Sequence, residues 1–287
     1  MSSPLLALVR LIAYLAVTFA CVPVQGVLLL MKSPARQTFP RAYHRICAWI
    51  LGFRFVVNGQ PDTAEPCLFV SNHTSYLDII VLGALIDGCF VAKTEVSGWP
   101  FFGPLSKLQR TVYVDRKRAS AGRQRDSMVE RLTDGGRLIL FPEGTSSDGN
   151  RTLPFRSALF AVASTPGADG KPLKVQPVSL ACTHLDGWPL GRNLRWLYSW
   201  YGDMDLLSHI WRVAGIGSLT VTVTFHAPVT VAEFGSRKAL ARYCEDVVAD
   251  GMAASLSGRP IPEHGPQPQH ATPAGHGADP GAAPGVA

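Results

Sequence analysis

Apolar residues fall along this chain in short bursts separated by longer amphipathic stretches. The bursts are rich in Val, Ile, Leu and Phe and mostly run into Gly, Asn, Asp or Pro: "FRFVVNG" (53–59), "CLFVSN" (67–72), "CFVAK" (89–93), "TVYVDR" (111–116), "RLILFPEG" (137–144), "LKVQPVSL" (173–180) and "LTVTVTFHAPV" (219–229). Runs of this kind, bounded by turn formers, predict strands. Between them the pattern predicts helices at about 75–86, 119–134, 155–164 and 236–256. Strands interleaved with helices imply an α/β fold, a central and largely parallel sheet flanked by helices. In such sheets chemistry collects where strands end and loops begin.

The two ends of the chain break this pattern. From Leu11 to Met31 there is no formal charge over about 21 residues, long enough to cross a bilayer core. Pro23, Gln25 and Gly26 interrupt the run, so a spanning helix and a kinked, re-entrant segment both fit. The run is long for a signal peptide and no clear small-residue cleavage site follows it, which makes it a retained anchor. Lys32, Arg36, Arg41 and Arg45 follow it, against Arg10 alone before it. That asymmetry places the rest of the chain on the cytoplasmic face of the cell inner membrane. A second basic and apolar segment, Phe39 to Phe55, reads equally as an interfacial amphipathic helix or as a packed core helix. From Gly258 onward the chain is rich in Pro, Gly and Ala with almost no large apolar residue, too little to offset the entropy of ordering. The expected organisation is therefore membrane-anchoring helices at 1–57, a catalytic domain at 58–257 and a disordered tail at 258–287.

Net charge is +6 over 287 residues. A basic surface suits nucleic acid, an anionic membrane or an acidic carrier protein. No Lys/Arg-rich helix or aromatic RNA-binding signature is present, so nucleic acid drops out and membrane lipids or an acidic carrier remain. The six cysteines are scattered, with no C-x-x-C pair, and read as reduced core or membrane residues. No metal site is expected.

Three polar clusters stand at strand ends. "SNHTSYLD" (71–78) follows the second strand directly. One reading is a helix start, with Ser75 as N-cap and Asp78 three residues on. The other takes His73 as a general base whose imidazole is oriented by Asp78 folding back from the first helical turn. Capping alone leaves Asn72 and His73 unexplained. In "TVYVDRKR", Arg116 ends a strand and suits bidentate recognition of a phosphate or carboxylate, and Lys93 ends another strand in a similar way. "RLILFPEGTSSDG" (137–149) feeds a strand into a turn where Gly144 allows close backbone approach and Glu143 offers a carboxylate.

Taken together, "NHTSYLD", "VYVDR", "FPEGT" and "VQPVSL" resemble, in order and spacing, the four motifs of the glycerolipid acyltransferase family, which includes the 1-acylglycerol-3-phosphate acyltransferases. The resemblance runs from about residue 40 to 230. It implies transfer of a fatty acyl group from a thioester to a lysolipid hydroxyl. His73 would deprotonate that hydroxyl with Asp78 as partner. Lys93 and Arg116 would hold an anionic head group, and Glu143, Gly144 and Thr145 would shape its pocket. It also implies no cofactor, the acyl donor being an acyl carrier protein or coenzyme A thioester. The expected acceptor is 1-acyl-sn-glycerol 3-phosphate, giving phosphatidic acid in phospholipid biosynthesis. One letter departs from that expectation: Ser146 stands where phosphatidate-forming members commonly carry Arg. Arg151 or Arg156 would have to replace the missing cation. Failing that, the acceptor is another lysolipid, such as a lyso-ornithine lipid.

Rival chemistries lack their signatures. There is no G-x-S-x-G elbow of a serine hydrolase, and neither G-x-G-x-x-G nor a P-loop. A non-catalytic lipid-binding membrane protein accounts for anchor, charge and the aromatic stretch Arg195 to Trp211, but not for His73 and Asp78. That stretch, dense in Trp and Tyr, is expected at the lipid entry side, on the bilayer or in the core.

Overall fold

The computed structural model describes residues 2–63, 66–115, 121–133, 136–165 and 170–265. Arg116 and the tail from 266 onward lie outside the described residues. Helix α1 (Pro4–Leu30) opens on Ser3, whose Oγ accepts the Leu6 amide, and on Pro4, whose missing N–H costs nothing at that position. It runs unbroken through Pro23. At 27 residues it is about 40 Å long, more than a hydrocarbon core requires. Leu5, Val9, Ile12 and Phe19 point outward from it. Helix α2 (Ala35–Ile50) returns against α1 and buries His44, Cys47 and Ala48.

Among the described residues nine strands form one sheet: β1 (Phe53–Asn58), β2 (Cys67–Ser71), β3 (Cys89–Lys93), β4 (Val112–Val114), β5 (Leu138–Leu140), β6 (Lys174–Leu185), β7 (Trp188–Pro189), β8 (Leu219–Phe225) and β9 (Val229–Thr230). The main order is β1-β8-β6-β2-β5-β3-β4. Neighbours are parallel except where β6 meets β7, β8 and β9. Side chains alternate between two cores. Phe69, Ile139, Val178 and Leu180 face the layer of α2 and α3 (Leu77–Leu85). Leu68, Val70, Leu138 and Val175 face α8 (Arg237–Ser257) and α5 (Ala121–Thr133). With both faces covered, all five residues of β2 are buried.

The expected fold class holds, with local corrections. The segment at 155–164 forms a 3-10 helix, Ser157–Ser164, rather than an α-helix. The last strand run divides into β8 and β9 around Pro228, which has no N–H for the ladder. The run at 173–180 continues to Leu185, because β8 folds back along it. Among the described residues three α-helices escaped the pattern: α4 (Phe102–Leu108), α6 (Leu206–Gly215) and the one-turn α7 (Val231–Phe234). A boundary at 57 falls inside β1, which is hydrogen-bonded to β8 and belongs to the sheet.

The N-terminus is tied to the sheet domain. Ser3 donates its amide to the Gly215 carbonyl at 2.8 Å. Arg10 Nη1 donates to the carbonyls of Ile216 (2.6 Å), Ala214 (3.3 Å) and Gly217 (3.3 Å), satisfying the orphan carbonyls at the end of α6.

Candidate active site

Strand order explains how distant motifs meet. β2, β5, β3 and β4 run parallel and adjacent, so their C-terminal ends share one edge. His73 follows β2, Glu143 and Gly144 follow β5, and Lys93 ends β3. The strand that precedes Arg116 comes next.

At the end of β2 the buried Asn72 pins the loop. Its Nδ2 donates to the Leu180 carbonyl and its Oδ1 accepts the Leu180 amide, both at 2.8 Å. The first motif is thereby fastened to the fourth, a role for Asn72 that capping could not supply. His73 Nδ1 lies 2.8 Å from Asp78 Oδ2. Asp78 is fully buried on the first turn of α3 and also accepts the amides of Thr74 (2.7 Å) and Ser75 (3.0 Å). The Thr74 hydroxyl (3.3 Å) and the Tyr198 hydroxyl (2.8 Å) complete its shell. An anion so supplied holds the imidazole proton on Nδ1 and leaves Nε2 as the basic nitrogen. The two sequence readings of this stretch therefore coexist. Asp78 folds back on its helix start, and Ser75 Oγ accepts the Leu77 amide at 3.3 Å.

The His73 ring is 20% exposed and stacks on Phe141, centroids 4.1 Å apart. Phe141 in turn stacks on Phe90 at 6.2 Å. The third motif is stitched to the first by the Ser147 amide, which donates to the His73 carbonyl at 2.9 Å. Gly144 has φ +69, a left-handed conformation that glycine adopts freely. A side chain there would also meet the Arg156 guanidinium, with Cζ 3.1 Å from the added carbon. Thr145 is exposed on the same turn. Ser146 is engaged elsewhere, its Oγ donating to the Trp200 carbonyl at 2.5 Å.

Glu143 is only 2% exposed, deeper than the expected pocket wall. Neither carboxylate oxygen closes a hydrogen bond. The backbone amides of Leu153 and His73 face it and pull its pKa down, but not enough to offset burial, which pushes it up to about 8. Lys93 stands at the shared edge, separated from β2 by β5. Tyr198, 120 positions from Asp78, is the site residue that sequence reasoning missed. The only hint was its place in the Trp/Tyr-rich stretch.

Beside the dyad a cleft of about 570 Å³ opens between α1, α2 and the sheet domain. Tyr76, Leu77 and Phe90 line it next to the dyad, and it follows α1 from Leu11 to Gln25. That stretch of helix is about 21 Å long.

Comparison with known proteins decides what such a site belongs to. The lyso-ornithine lipid O-acyltransferase of Brucella abortus is 42% identical over 254 residues, covering 88% of this chain and 95% of that protein. The chain belongs to the lysolipid acyltransferases. The Acyltransferase family model matches residues 54–181 of this acyltransferase. The 1-acyl-sn-glycerol-3-phosphate acyltransferase of Neisseria gonorrhoeae is 32% identical to it, over 67% of this chain and 74% of that one. The crystal structure of the 1-acyl-sn-glycerophosphate acyltransferase from Thermotoga maritima superposes with a TM-score of 0.62 at 25% identity, covering 89% of this chain and 96% of that one.

Proposed function

We propose that this acyltransferase moves a fatty acyl group from an acyl thioester to the hydroxyl of a lyso-ornithine lipid. The observation that carries this choice over lysophosphatidate is Ser146. It stands where phosphatidate-forming relatives commonly have Arg, and its hydroxyl is spent on a backbone carbonyl. The 42% identity to a lyso-ornithine lipid O-acyltransferase supports the same acceptor.

The geometry suits a direct transfer. His73 Nε2 takes the proton of the acceptor hydroxyl as its oxygen attacks the thioester carbonyl. The imidazolium that forms is held by Asp78. Collapse of the tetrahedral intermediate expels the thiolate, which recovers the proton from His73. Phe141 keeps the imidazole in plane. Gly144, Thr145, Lys93 and Arg116 are proposed to border the head group, and Glu143 to support the His73 backbone from behind. The apolar cleft takes the acyl chain of the donor, a carrier protein or coenzyme A thioester.

The same edge of the molecule offers a membrane-facing side. β6 runs past the end of β2, so its hairpin with β7 lies on the active-site side, as does the start of β1. Trp188 on that hairpin is 78% exposed, Trp49 just before β1 is 79% exposed, and Leu207 on α6 is 73% exposed. Together with α1 they place the acyltransferase on a bilayer. The charge asymmetry around α1 argues for the cytoplasmic face of the inner membrane.

Lysophosphatidate is the second reading, favoured by Arg156, whose guanidinium lies against Gly144 and offers a cation at the third motif. Membranes carrying wild type or His73→Ala, given each acceptor and labelled donor, separate these readings. Lyso-ornithine lipid acylated by wild type alone is the expected result. Acylation of lysophosphatidate alone would move the acceptor to the second reading. Equal activity of His73→Ala would deny His73 its role as base and reduce the 71–78 stretch to a helix start.

A further inference from the structure

Three aromatic rings line up across the shared edge of the sheet. Phe90 lies on β3, Phe141 follows β5 directly and His73 follows β2, and these strands are adjacent in the order β2-β5-β3. Phe69 and Phe90 both pair with Ile139. Phe141, two residues past Ile139, and His73, four past Phe69, fall on the face that Phe90 occupies. The imidazole and the Phe141 ring are nearly parallel, with 18° between their planes and centroids 4.1 Å apart. Phe141 and Phe90 are parallel to within 16°, with centroids 6.2 Å apart. The buried Phe90 thus backs the half-buried Phe141, whose ring lies against the imidazole.

The contact matters because the charge of the imidazole changes during the reaction. His73 is neutral when it meets the acceptor hydroxyl and becomes an imidazolium as the hydroxyl proton moves to Nε2. Asp78 meets that cation at its Nδ1 edge, 2.8 Å away. Glu143, which faces the His73 amide, is kept neutral up to about pH 8 by burial and brings no second negative charge. One face of the ring is left to Phe141. The face of a benzene ring carries the negative part of its quadrupole and attracts a cation lying over it within about 6 Å. A neutral imidazole gains much less from the same contact. The attraction therefore grows as the proton arrives, and only interactions stronger in the transition state speed the chemical step. An aliphatic side chain in the same place would shield the imidazole from water and offer no such field.

We propose that the π face of Phe141 stabilises the imidazolium of His73 as the acceptor hydroxyl gives up its proton. Phe141 is then a positioning residue that acts through His73, and its ring electrons matter as well as its shape. This rests on His73 being the base in the transfer proposed above.

The test replaces Phe141 in the full-length enzyme with 4-fluoro-, 3,5-difluoro- and 3,4,5-trifluorophenylalanine. Fluorine withdraws charge from the ring face in steps and changes the shape little. Acyl transfer to either lysolipid is followed against pH in membranes with matched protein levels. The expected result is a stepwise fall in kcat, about threefold to tenfold by the trifluoro ring, with the acidic limb of kcat/KM moving to lower pH. The direction follows from the base: a less stabilised imidazolium releases its proton more readily, so neutral His73 persists to lower pH. Phe141→Leu should be at least as slow as the trifluoro variant. A flat fluorine series overturns the proposal, and a loss confined to Phe141→Leu then makes the ring a packing element. If wild type acylates neither lysolipid, the functional reading fails. The contact is then read by NMR titration of the labelled His73 imidazole in the detergent-solubilised protein, assigned by its absence from His73→Ala. A midpoint that falls along the fluorine series supports the proposal, and an unchanged midpoint overturns it.

Discussion

Two buried carboxylates stand beside His73, and the chain treats them in opposite ways. Asp78 accepts from His73, the Thr74 amide and hydroxyl, the Ser75 amide and Tyr198. Glu143, almost as deeply buried, closes no hydrogen bond. The same functional group is thus given five donors in one place and, in the other, is kept as a neutral acid up to about pH 8 by burial. What differs is the local supply of donors. A tight strand-to-helix turn aims amides and hydroxyls at Asp78. The Gly144 turn directs its own amide to the Phe141 carbonyl at 3.1 Å, away from Glu143.

The strongest way to break this contrast is to remove the charge from Asp78. Asp78→Asn should cut acyl transfer by about 10²-fold or more, and His73→Ala by about 10²- to 10⁴-fold, in initial-rate assays of membranes with matched protein levels. Transfer that stays within a few-fold of wild type in both variants would deny the dyad its role.

Tyr198→Phe is a finer probe, since it takes one neutral donor from the anion and leaves the ring in the core. We expect about a tenfold loss, equal to about 1.4 kcal/mol. A less solvated Asp78 holds the imidazolium more strongly, so the acidic limb of the pH–rate profile should move to higher pH. A fall in rate with the limb unmoved would mean Tyr198 is only packing.

Glu143 is tested through stability. Its folded pKa is raised from 4.5 to about 8. Between those values the unfolded chain has released the proton and the folded chain retains it, so stability falls as pH rises across that window. Glu143→Gln, which cannot ionise, should flatten that fall in thermal melts from pH 4.5 to 8. An unchanged slope would show that the carboxyl is already ionised in the fold. The smallest effect is expected from Thr74→Val. Its hydroxyl bond to Asp78 is the longest of the set at 3.3 Å, and its loss should lower the rate by less than about threefold.

Much of this site was legible before any coordinates. The His73–Asp78 spacing announced a residue on the first helical turn reaching back. The strand endings placed Lys93 and Glu143 at a common edge, because parallel strands end together. Tyr198 was not legible, since the partner of a tyrosine 120 residues away is decided by tertiary packing, not by local pattern. The burial of Glu143 was missed for a related reason. A turn motif says that the backbone reverses, not which side chain it turns inward. The stretch from Arg195 to Trp211 was expected as one surface or one core and is both. Tyr198 and His209 are buried, while Trp211 is 44% exposed. The acceptor depended on one letter, Ser146. Its hydrogen bond to Trp200 shows that the position has been given to loop structure.

Arg10 gives the anchor a further meaning. Its guanidinium holds three carbonyls at the end of α6, and Ser3 is bonded to the same corner. The hydrophobic helix is therefore clamped to the domain it tethers, with no slack leash between them. A tether would let the domain wander through the surrounding water and search for lipid in three dimensions. A clamped helix confines the enzyme to a film, where encounters depend on molecules per unit area of bilayer. Diluting the suspension at a fixed lipid composition should then leave the encounter rate with the lysolipid unchanged, while diluting the lysolipid among inert lipids should slow it in proportion.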